Sequence, residues 1–137
     1  MSSTILVLED DSVLQNLLCE VLRDEGFEVV AADTLPDLLQ VAPPTAHLLI
    51  TDLLVDQEVV GLDAIEQIRH VTHAELPALI CSGAQQHMEA LQPEIDRLRS
   101  SWLAKPFTID DLVQAVGDAL NPNFNRQVAR PLPAWCA

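Results

Sequence analysis

Short, uniformly apolar runs alternate with amphipathic segments along most of the chain. The apolar runs predict five strands, at 4–8, 28–32, 47–51, 77–82 and 102–104. Between them, apolar residues spaced three and four apart predict helices at 12–26, 34–42, 62–71, 85–100 and 108–121. Because the strands are apolar throughout and do not alternate, they are typical of a parallel sheet that is buried on both faces.

The alternation of strand and helix predicts one α/β domain over residues 1–121, with a (βα)5 doubly wound parallel sheet. Pro93 falls inside the fourth helix and should kink or split it. Residues 122–137 differ from the rest, since they contain prolines and arginines but no acidic residue. This C-terminal tail has two interpretations: a disordered end, or an arm that packs Leu132 and Trp135 onto its own domain or a partner.

The composition narrows the class of protein. With 137 residues, of which 49% are hydrophobic, the chain can bury one sizeable core. No apolar run is long enough to span a membrane or to form a signal peptide, so we expect a cytoplasmic protein with no membrane partner.

The widely spaced Cys19, Cys81 and Cys136 favour reduced thiols over zinc ligands or disulfides. A catalytic cysteine is disfavoured because no histidine is placed to activate it.

The chain is strongly acidic, with a formal net charge of −14 at pH 7 and a pI of about 4.3. A phosphate backbone would repel such a surface, so we expect no nucleic-acid partner. The acidic residues have two interpretations. They keep the protein soluble, or some of them cluster because a site needs them.

Polar side chains follow four of the five predicted strands at the point where each strand ends. They are Glu9 and Asp10, Asp52, Ser82, and Lys105. The second strand ends at Ala32 and Asp33 and offers little chemistry. The carboxyl ends of parallel strands meet at one edge of a sheet, where ligands bind. If the second strand lies at the edge, in the order 2-1-3-4-5, these polar strand ends are contiguous. Each residue alone is more typical of a helix cap or a surface position, but together they indicate a site.

The residue types at this edge indicate phosphoryl chemistry. Clustered carboxylates repel one another, which raises their pKa values or requires a cation. An incomplete set of hard oxygen ligands that is open to water suits Mg²⁺, which also binds phosphate oxygens. A carboxylate can attack phosphorus and form an aspartyl phosphate. Lys105 supplies further positive charge and Ser82 a hydroxyl donor, and phosphoryl transfer depends mainly on such positioning and charge neutralisation.

Four stretches carry a resemblance to a known family: "ILVLEDD", "LLITDLL", "ALICSGA" and "WLAKPFTIDDL". In this order and spacing they resemble the response-regulator receiver domains of bacterial two-component signalling. The resemblance covers about residues 4–120, and it implies a flavodoxin-like fold with strand order 2-1-3-4-5. The combined signature is specific, although no single stretch is.

The resemblance implies roles for the acidic residues. Asp52 would be the phosphoacceptor. Asp10 would bind Mg²⁺ together with Asp52 and the backbone carbonyl of Leu54. Glu9 would reach the metal through water or lie beside it. Asp11 would stand outside the metal set and cap the first helix.

Three further residues receive roles from the same resemblance. Ser82 takes the switch position and would donate a hydrogen bond to the phosphoryl group. Lys105 would contact a phosphoryl oxygen, and the Lys105–Pro106 bond is often cis in the family. Trp102 stands where the family usually has Tyr or Phe, an aromatic ring that turns inward on phosphorylation. Its alternative interpretation is a packing residue of the fifth strand.

Two departures from the family pattern lie near the site and the usual output surface. Asp56 replaces a common proline, and one extra residue precedes Gly61, so we expect a remodelled loop beside Asp52. Pro93 interrupts the helix that family members use for output. Partner binding or dimerisation there is therefore expected to differ from the usual pattern.

The leading hypothesis is a single-domain response regulator that signals by protein contact. A sensor histidine kinase or a histidine phosphotransfer protein would exchange the phosphoryl group with Asp52. A homodimer through the fourth and fifth helices or the C-terminal tail is possible in this hypothesis. The protein would promote its own phosphorylation and dephosphorylation, without turning over an external substrate.

Two other functions compete with this hypothesis. The first is a non-phosphorylated interaction module on the receiver fold, which the complete set of acidic, Ser and Lys residues disfavours. The second is an aspartyl-phosphate phosphatase. Such enzymes typically have a second Asp two residues after the nucleophile, where this chain has Leu54, and a cap insertion, which this chain lacks.

Overall fold

The computed structural model describes residues 3–55, 58–83 and 85–121. The expected remodelling by Asp56 and both interpretations of the C-terminal tail therefore lie outside the described residues. Within the described part, the strands are, in chain order, β1 (Thr4–Leu8), β2 (Glu28–Ala32), β3 (Leu48–Asp52), β4 (Leu54–Val55), β5 (Glu58–Val59), β6 (Ala78–Ser82) and β7 (Ser101–Ala104). The helices are α1 (Ser12–Asp24), α2 (Leu35–Val41), α3 (Gly61–Val71), α4 (Gln85–Ala90), α5 (Gln92–Arg97) and α6 (Ile109–Leu120). Among the described residues, no helix combines the length and the apolar character needed to cross a membrane.

Five parallel strands form the main sheet, in the order β2-β1-β3-β6-β7. This is the predicted 2-1-3-4-5 order, because β4 and β5 pair only with each other in a small antiparallel hairpin. The α/β doubly wound prediction is thus confirmed. The hairpin was not predicted from the sequence.

Helices cover both faces of the sheet, as the uniformly apolar strands predict. Successive strand residues point to opposite faces, so each strand contributes to two cores. One core joins alternate strand residues to α2, α3 and α5, through Leu6, Leu49, Ile80, Leu38, Ile65, Ile68 and Ile95. The other joins the remaining strand residues to α1 and α6, through Val7, Ile50, Cys81, Leu18, Leu22, Leu112 and Val116. These two cores fix the positions of the strand ends that carry the polar residues.

Helix ends follow the local signals in the sequence. Asp11 caps α1, since its carboxylate accepts hydrogen bonds from the N–H groups of Val13 and Leu14 at 3.0 and 3.2 Å. Gly26 follows α1 with a φ of 93°, a left-handed conformation that glycine adopts readily. The predicted fourth helix is two helices, because α4 ends at Ala90 and α5 begins at Gln92 with Pro93 in its first turn. The predicted split at Pro93 is therefore confirmed.

Gly61 lies where α3 begins, tight against the backbone that carries Asp52. A Cβ atom at position 61 would lie 2.6 Å from the Asp52 carbonyl oxygen and 2.9 Å from the Leu53 Cα. The N–H groups of Val60 and Gly61 both donate to the Leu53 carbonyl at 3.0 Å. The absence of a side chain at Gly61 thus lets α3 close against the end of β3.

Gly61→Ala is expected to lower the free energy of unfolding by about 2 kcal/mol, because the new methyl group displaces backbone and cannot simply rotate away. Gly117→Ala is the matched control. A Cβ at position 117 meets nothing within 4 Å inside α6, so this change should stabilise by about 0.5–1 kcal/mol. Urea denaturation measures both. Equal effects of the two substitutions would contradict the close approach at Gly61.

Candidate functional site

Three carboxylates meet at the carboxyl edge of the sheet. Glu9 and Asp10 follow β1, and Asp52 ends β3, the adjacent strand. One oxygen of each residue lies within 4.8 Å of the others. The topology therefore brings together the acidic residues that the sequence analysis selected.

Lys105 reaches this cluster from the loop after β7. Its Nζ lies 2.8 Å from Asp52 Oδ2 and 3.0 Å from Glu9 Oε1. Its backbone N–H donates to the Ser82 carbonyl at 2.9 Å, which fixes the loop to the end of β6. The Lys105–Pro106 peptide bond is cis, as the resemblance implied. The ammonium group thus neutralises part of the negative charge of the cluster.

Glu9 is the buried member of the cluster, with 2% of its surface exposed. Its Oε2 accepts a hydrogen bond from the Asp11 N–H at 3.3 Å, and its own N–H donates to the Ala32 carbonyl at 3.2 Å. Burial raises the pKa of Glu9 above its usual value, and the hydrogen bond and charge of Lys105 only partly offset this effect. Ionised Glu9 therefore depends on a nearby cation.

The pKa of Lys105 responds to two opposing influences. Burial lowers it, but the hydrogen bonds and charges of Asp52 and Glu9 outweigh burial, and the net result is a raised pKa. Lys105 is therefore protonated at neutral pH. A raised lysine pKa contributes stability that is fully present below the ordinary value of 10.5 and is lost as the pH rises through the folded-state value.

The raised pKa of Glu9 gives a pH-dependence prediction. The folded state binds the Glu9 proton more strongly than the unfolded state does, so Glu9 favours folding most below its ordinary pKa of 4.5. The quantity to compare is the unfolding free energy of wild type minus that of Glu9→Gln, both in Mg²⁺-free buffer. We expect this difference to fall as the pH rises from 4.5 toward neutrality. Urea titrations at several pH values measure the difference. A difference that rises with pH would contradict the burial of Glu9.

The Leu54 carbonyl, the predicted backbone ligand, lies in the hairpin that follows Asp52. Leu54 pairs with Val59, and the flanking hydrogen bond runs from the Val60 N–H to the Leu53 carbonyl at 3.0 Å. That pattern marks Leu54 and Val59 as a pair without mutual hydrogen bonds, so the Leu54 carbonyl points away from the partner strand. The pairing of the two hairpin strands therefore does not use the Leu54 carbonyl as a hydrogen-bond acceptor.

The remaining predicted residues border the cluster. Ser82 ends β6 and is buried, and its neighbour Cys81 pairs with Asp52 across the sheet. Trp102 lies on β7 beside Ile80, half-buried against the core under α3 and α5. This position suits the packing role, while its role as a switch stays a prediction.

Burial raises the pKa of the Cys81 thiol to about 12, which keeps this thiol protonated.

One residue at this edge, Gln15, was missed by the sequence analysis. The Gln15 side-chain amide donates to the Glu9 carbonyl and to the Asp33 carboxylate, both at 2.8 Å. Asp33, at the end of the second strand, is thus linked through Gln15 to the backbone of Glu9. A signal existed in the sequence: Gln15 follows the cap residue Asp11 by four positions, which places it on the same face of α1.

The residues present fit a divalent cation. The three carboxylates supply hard oxygen ligands within reach of one ion, and the Leu54 carbonyl is oriented outward from its hairpin. The set contains no thiolate or imidazole, which disfavours zinc in comparison with magnesium. Buried Glu9 and the neighbouring Asp52 together also carry more negative charge than Lys105 balances.

The sequence profile of the response regulator receiver domain matches residues 5–117, which is most of the chain. The chain belongs to this family. It is a receiver domain of two-component response regulators, a class of signalling modules that do not turn over external substrates.

Individual relatives agree with the family assignment. The chain is 32% identical to the DNA-binding transcriptional regulator NtrC of Azospirillum brasilense over 89% of its own length and 25% of the relative. It is 25% identical to the chemotaxis protein CheY of Bacillus subtilis, over 88% of this receiver domain and all of CheY. The crystal structure of a response regulator receiver protein from Pseudomonas putida superposes with a TM-score of 0.70 and 29% identity, covering 85% and 97% of the two chains. The chain spans from about a quarter to about a half of the first curated relatives it matches.

Proposed function

We propose that this receiver domain accepts a phosphoryl group on Asp52 from a phosphohistidine of a sensor histidine kinase or a histidine phosphotransfer protein. The observation that carries the proposal is the position of the Asp52 carboxylate, 2.8 Å from the Lys105 ammonium group and within the three-carboxylate cluster. A carboxylate nucleophile beside a fixed cation and a metal-ligating set is the arrangement that phosphoryl transfer requires.

Mg²⁺ is the cofactor that the cluster would hold. Asp10, Asp52 and the Leu54 carbonyl would bind it, and Glu9 would contact it through water or lie beside it. When bound, the ion neutralises charge on the transferring phosphoryl group and the carboxylates. The family membership and the oxygen-ligand set support this assignment.

The nucleophile in this proposal is the Asp52 carboxylate that pairs with Lys105 at 2.8 Å, so the transfer needs no general base at Asp52. An Asp52 oxygen forms the new bond to phosphorus, and the phosphorus–nitrogen bond of the phosphohistidine breaks with its electron pair going to nitrogen. The ring departs as neutral imidazole because its other nitrogen carries a proton. Lys105 moves from its two carboxylate contacts toward a phosphoryl oxygen. The Ser82 hydroxyl donates a hydrogen bond to another phosphoryl oxygen, which couples phosphorylation to β6 and to Trp102 on β7.

The output follows from a two-state equilibrium that the added charge biases. Residues 1–121 form the signalling domain in this proposal, and 122–137 form a separate tail. The domain acts in the cytoplasm through protein contacts, which include a possible homodimer through the α4–α6 surface or the tail. Direct nucleic-acid binding by this domain is disfavoured by the net charge of −14.

Binding of beryllofluoride, a phosphoryl analogue, tests the proposal against the non-phosphorylated interaction module. With Mg²⁺ present, beryllofluoride should shift the backbone NMR signals of residues around Asp52, Ser82 and Lys105. Size-exclusion chromatography of the same samples reports whether the domain dimerises. If Mg²⁺ and beryllofluoride together leave all signals unchanged, the interaction module becomes the better account.

A further inference from the structure

Gln15 links the first acidic turn of the site to the end of the neighbouring edge strand. Its Nε2 donates to the Glu9 carbonyl at 2.8 Å and to Asp33 Oδ1 at 2.8 Å, so both amide hydrogens are used. Glu9 belongs to the turn between β1 and α1, and Asp33 to the turn between β2 and α2. One half-buried side chain therefore spans the two loops.

The bond from Gln15 completes the set of contacts that immobilises Glu9. The Glu9 N–H already donates to the Ala32 carbonyl, and its carboxylate contacts Lys105 and the Asp11 N–H. The Glu9 carbonyl is the group that Gln15 engages. This carbonyl belongs to the peptide that joins Glu9 to Asp10, so the contact holds the backbone from which both carboxylates extend.

We propose that Gln15 is a positioning residue of the metal and phosphoryl site. It holds the Glu9–Asp10 peptide in the orientation that presents both carboxylates to the cation, and Asp33 anchors its amide from the other side. This inference rests on the proposed function, since it assigns Gln15 a part in binding Mg²⁺. Gln15 acts through Glu9 and Asp10 and does not itself contact the cation.

An amide suits this position better than other side chains of similar length. It provides two N–H donors on one nitrogen, which matches one carbonyl and one carboxylate acceptor. A glutamate would place a second carboxylate beside Asp33 and would offer no donor when ionised. A methionine has a similar length but donates nothing, which makes it a suitable replacement for a test.

The test compares Gln15→Met with Gln114→Met in the full chain. Gln114 is an exposed residue of α6 that donates one hydrogen bond to Asp118 at 3.0 Å. It is remote in sequence from the acidic cluster, so it is a matched control for a Gln to Met change on a helix. Calorimetric titration with Mg²⁺ should show about a tenfold loss of affinity for Gln15→Met and no loss for Gln114→Met. The thermal unfolding midpoints of the two variants without metal should agree within about 3 °C.

Hydrogen exchange of the metal-free protein provides a readout that is independent of Mg²⁺. In Gln15→Met, the backbone amides of residues 9–11 and 33 should exchange faster than in wild type, while the amides of the central strand β3 should not. In Gln114→Met, none of these amides should change. Faster exchange throughout the sheet would mean that Gln15 only stabilises the fold, and would overturn the inference.

Asp33→Asn separates positioning from charge. Asparagine retains the acceptor oxygen for Gln15 but removes one negative charge near the site, so its effect on Mg²⁺ affinity should shrink with added salt. The loss in Gln15→Met should persist at high salt, because no charge has changed. Wild-type affinity in Gln15→Met, or a loss that disappears in salt, overturns the inference. Failure of the wild type to bind Mg²⁺ would instead overturn the proposed function on which it rests.

Discussion

Asp52→Asn is expected to lose labelling by a small-molecule phosphodonor by at least about 10³-fold. Asparagine has nearly the same shape as aspartate, but its amide oxygen carries no negative charge and is a poor nucleophile toward phosphorus. Asp52 belongs to the acidic cluster and contacts Lys105 at 2.8 Å. Glu9 also contacts Lys105, at 3.0 Å, but it is buried, whereas Asp52 is partly exposed to an incoming phosphoryl group. Radiolabelling in the presence of Mg²⁺ measures the loss.

The matched control is Asp63→Asn, an exposed aspartate in the first turn of α3. It removes the same charge from the chain without touching the cluster, so labelling should match that of wild type. Asp52→Asn should remain folded, because the substitution also relieves repulsion among the carboxylates. Labelling that persists in folded Asp52→Asn would show that another residue accepts the phosphoryl group.

Lys105→Ala is expected to slow phosphorylation by about 10²-fold while leaving Mg²⁺ binding roughly intact. The ammonium group lies between Asp52 and Glu9, where it can neutralise charge that develops on the transferring group. The metal ligands themselves are unchanged in this variant. The Lys105 ammonium group competes with Mg²⁺ for the carboxylates, so its removal should not weaken Mg²⁺ binding.

The same substitution should destabilise the metal-free protein. Loss of Lys105 leaves the buried Glu9 without its cation, which should lower the unfolding free energy at pH 7 by about 2 kcal/mol. Adding Mg²⁺ should raise the unfolding free energy of Lys105→Ala toward that of the metal-free wild type, because an ion that binds only the folded state stabilises it. Arg97→Ala is the control, since its ion pairs with Glu66 and Glu94 are exposed and should contribute little. A large loss of Mg²⁺ affinity in Lys105→Ala would contradict the role given to Lys105.

Much of the fold could be predicted because the responsible signals are local and repeat along the chain. The uniform apolar runs indicate a sheet buried on both faces, and Pro93 marks the split between α4 and α5. The site could be located because topology alone brings strand ends to one edge. Glu9, Asp10 and Asp52 therefore meet even though more than forty residues separate Asp10 from Asp52.

The features that escaped prediction depend on contacts between distant residues. The β4–β5 hairpin is only two residues long on each side, and "LLVDQEVV" carries no glycine or asparagine turn signal. The link from Gln15 to Asp33 requires knowing how α1 lies over the end of β2, which no periodicity reveals. The Glu9–Lys105 ion pair likewise spans nearly the whole domain.

Chemical trapping of the phosphorylated residue tests the central claim most directly. Borohydride reduces an aspartyl phosphate to homoserine, so the modified residue can be located by mass spectrometry of peptides after treatment with Mg²⁺ and a phosphodonor. Asp52 as the acceptor predicts homoserine at position 52 and at no other acidic position. Homoserine at position 10 or at any other aspartate would contradict the assignment of Asp52 as the acceptor. The complete absence of homoserine in protein that binds Mg²⁺ would contradict it as well.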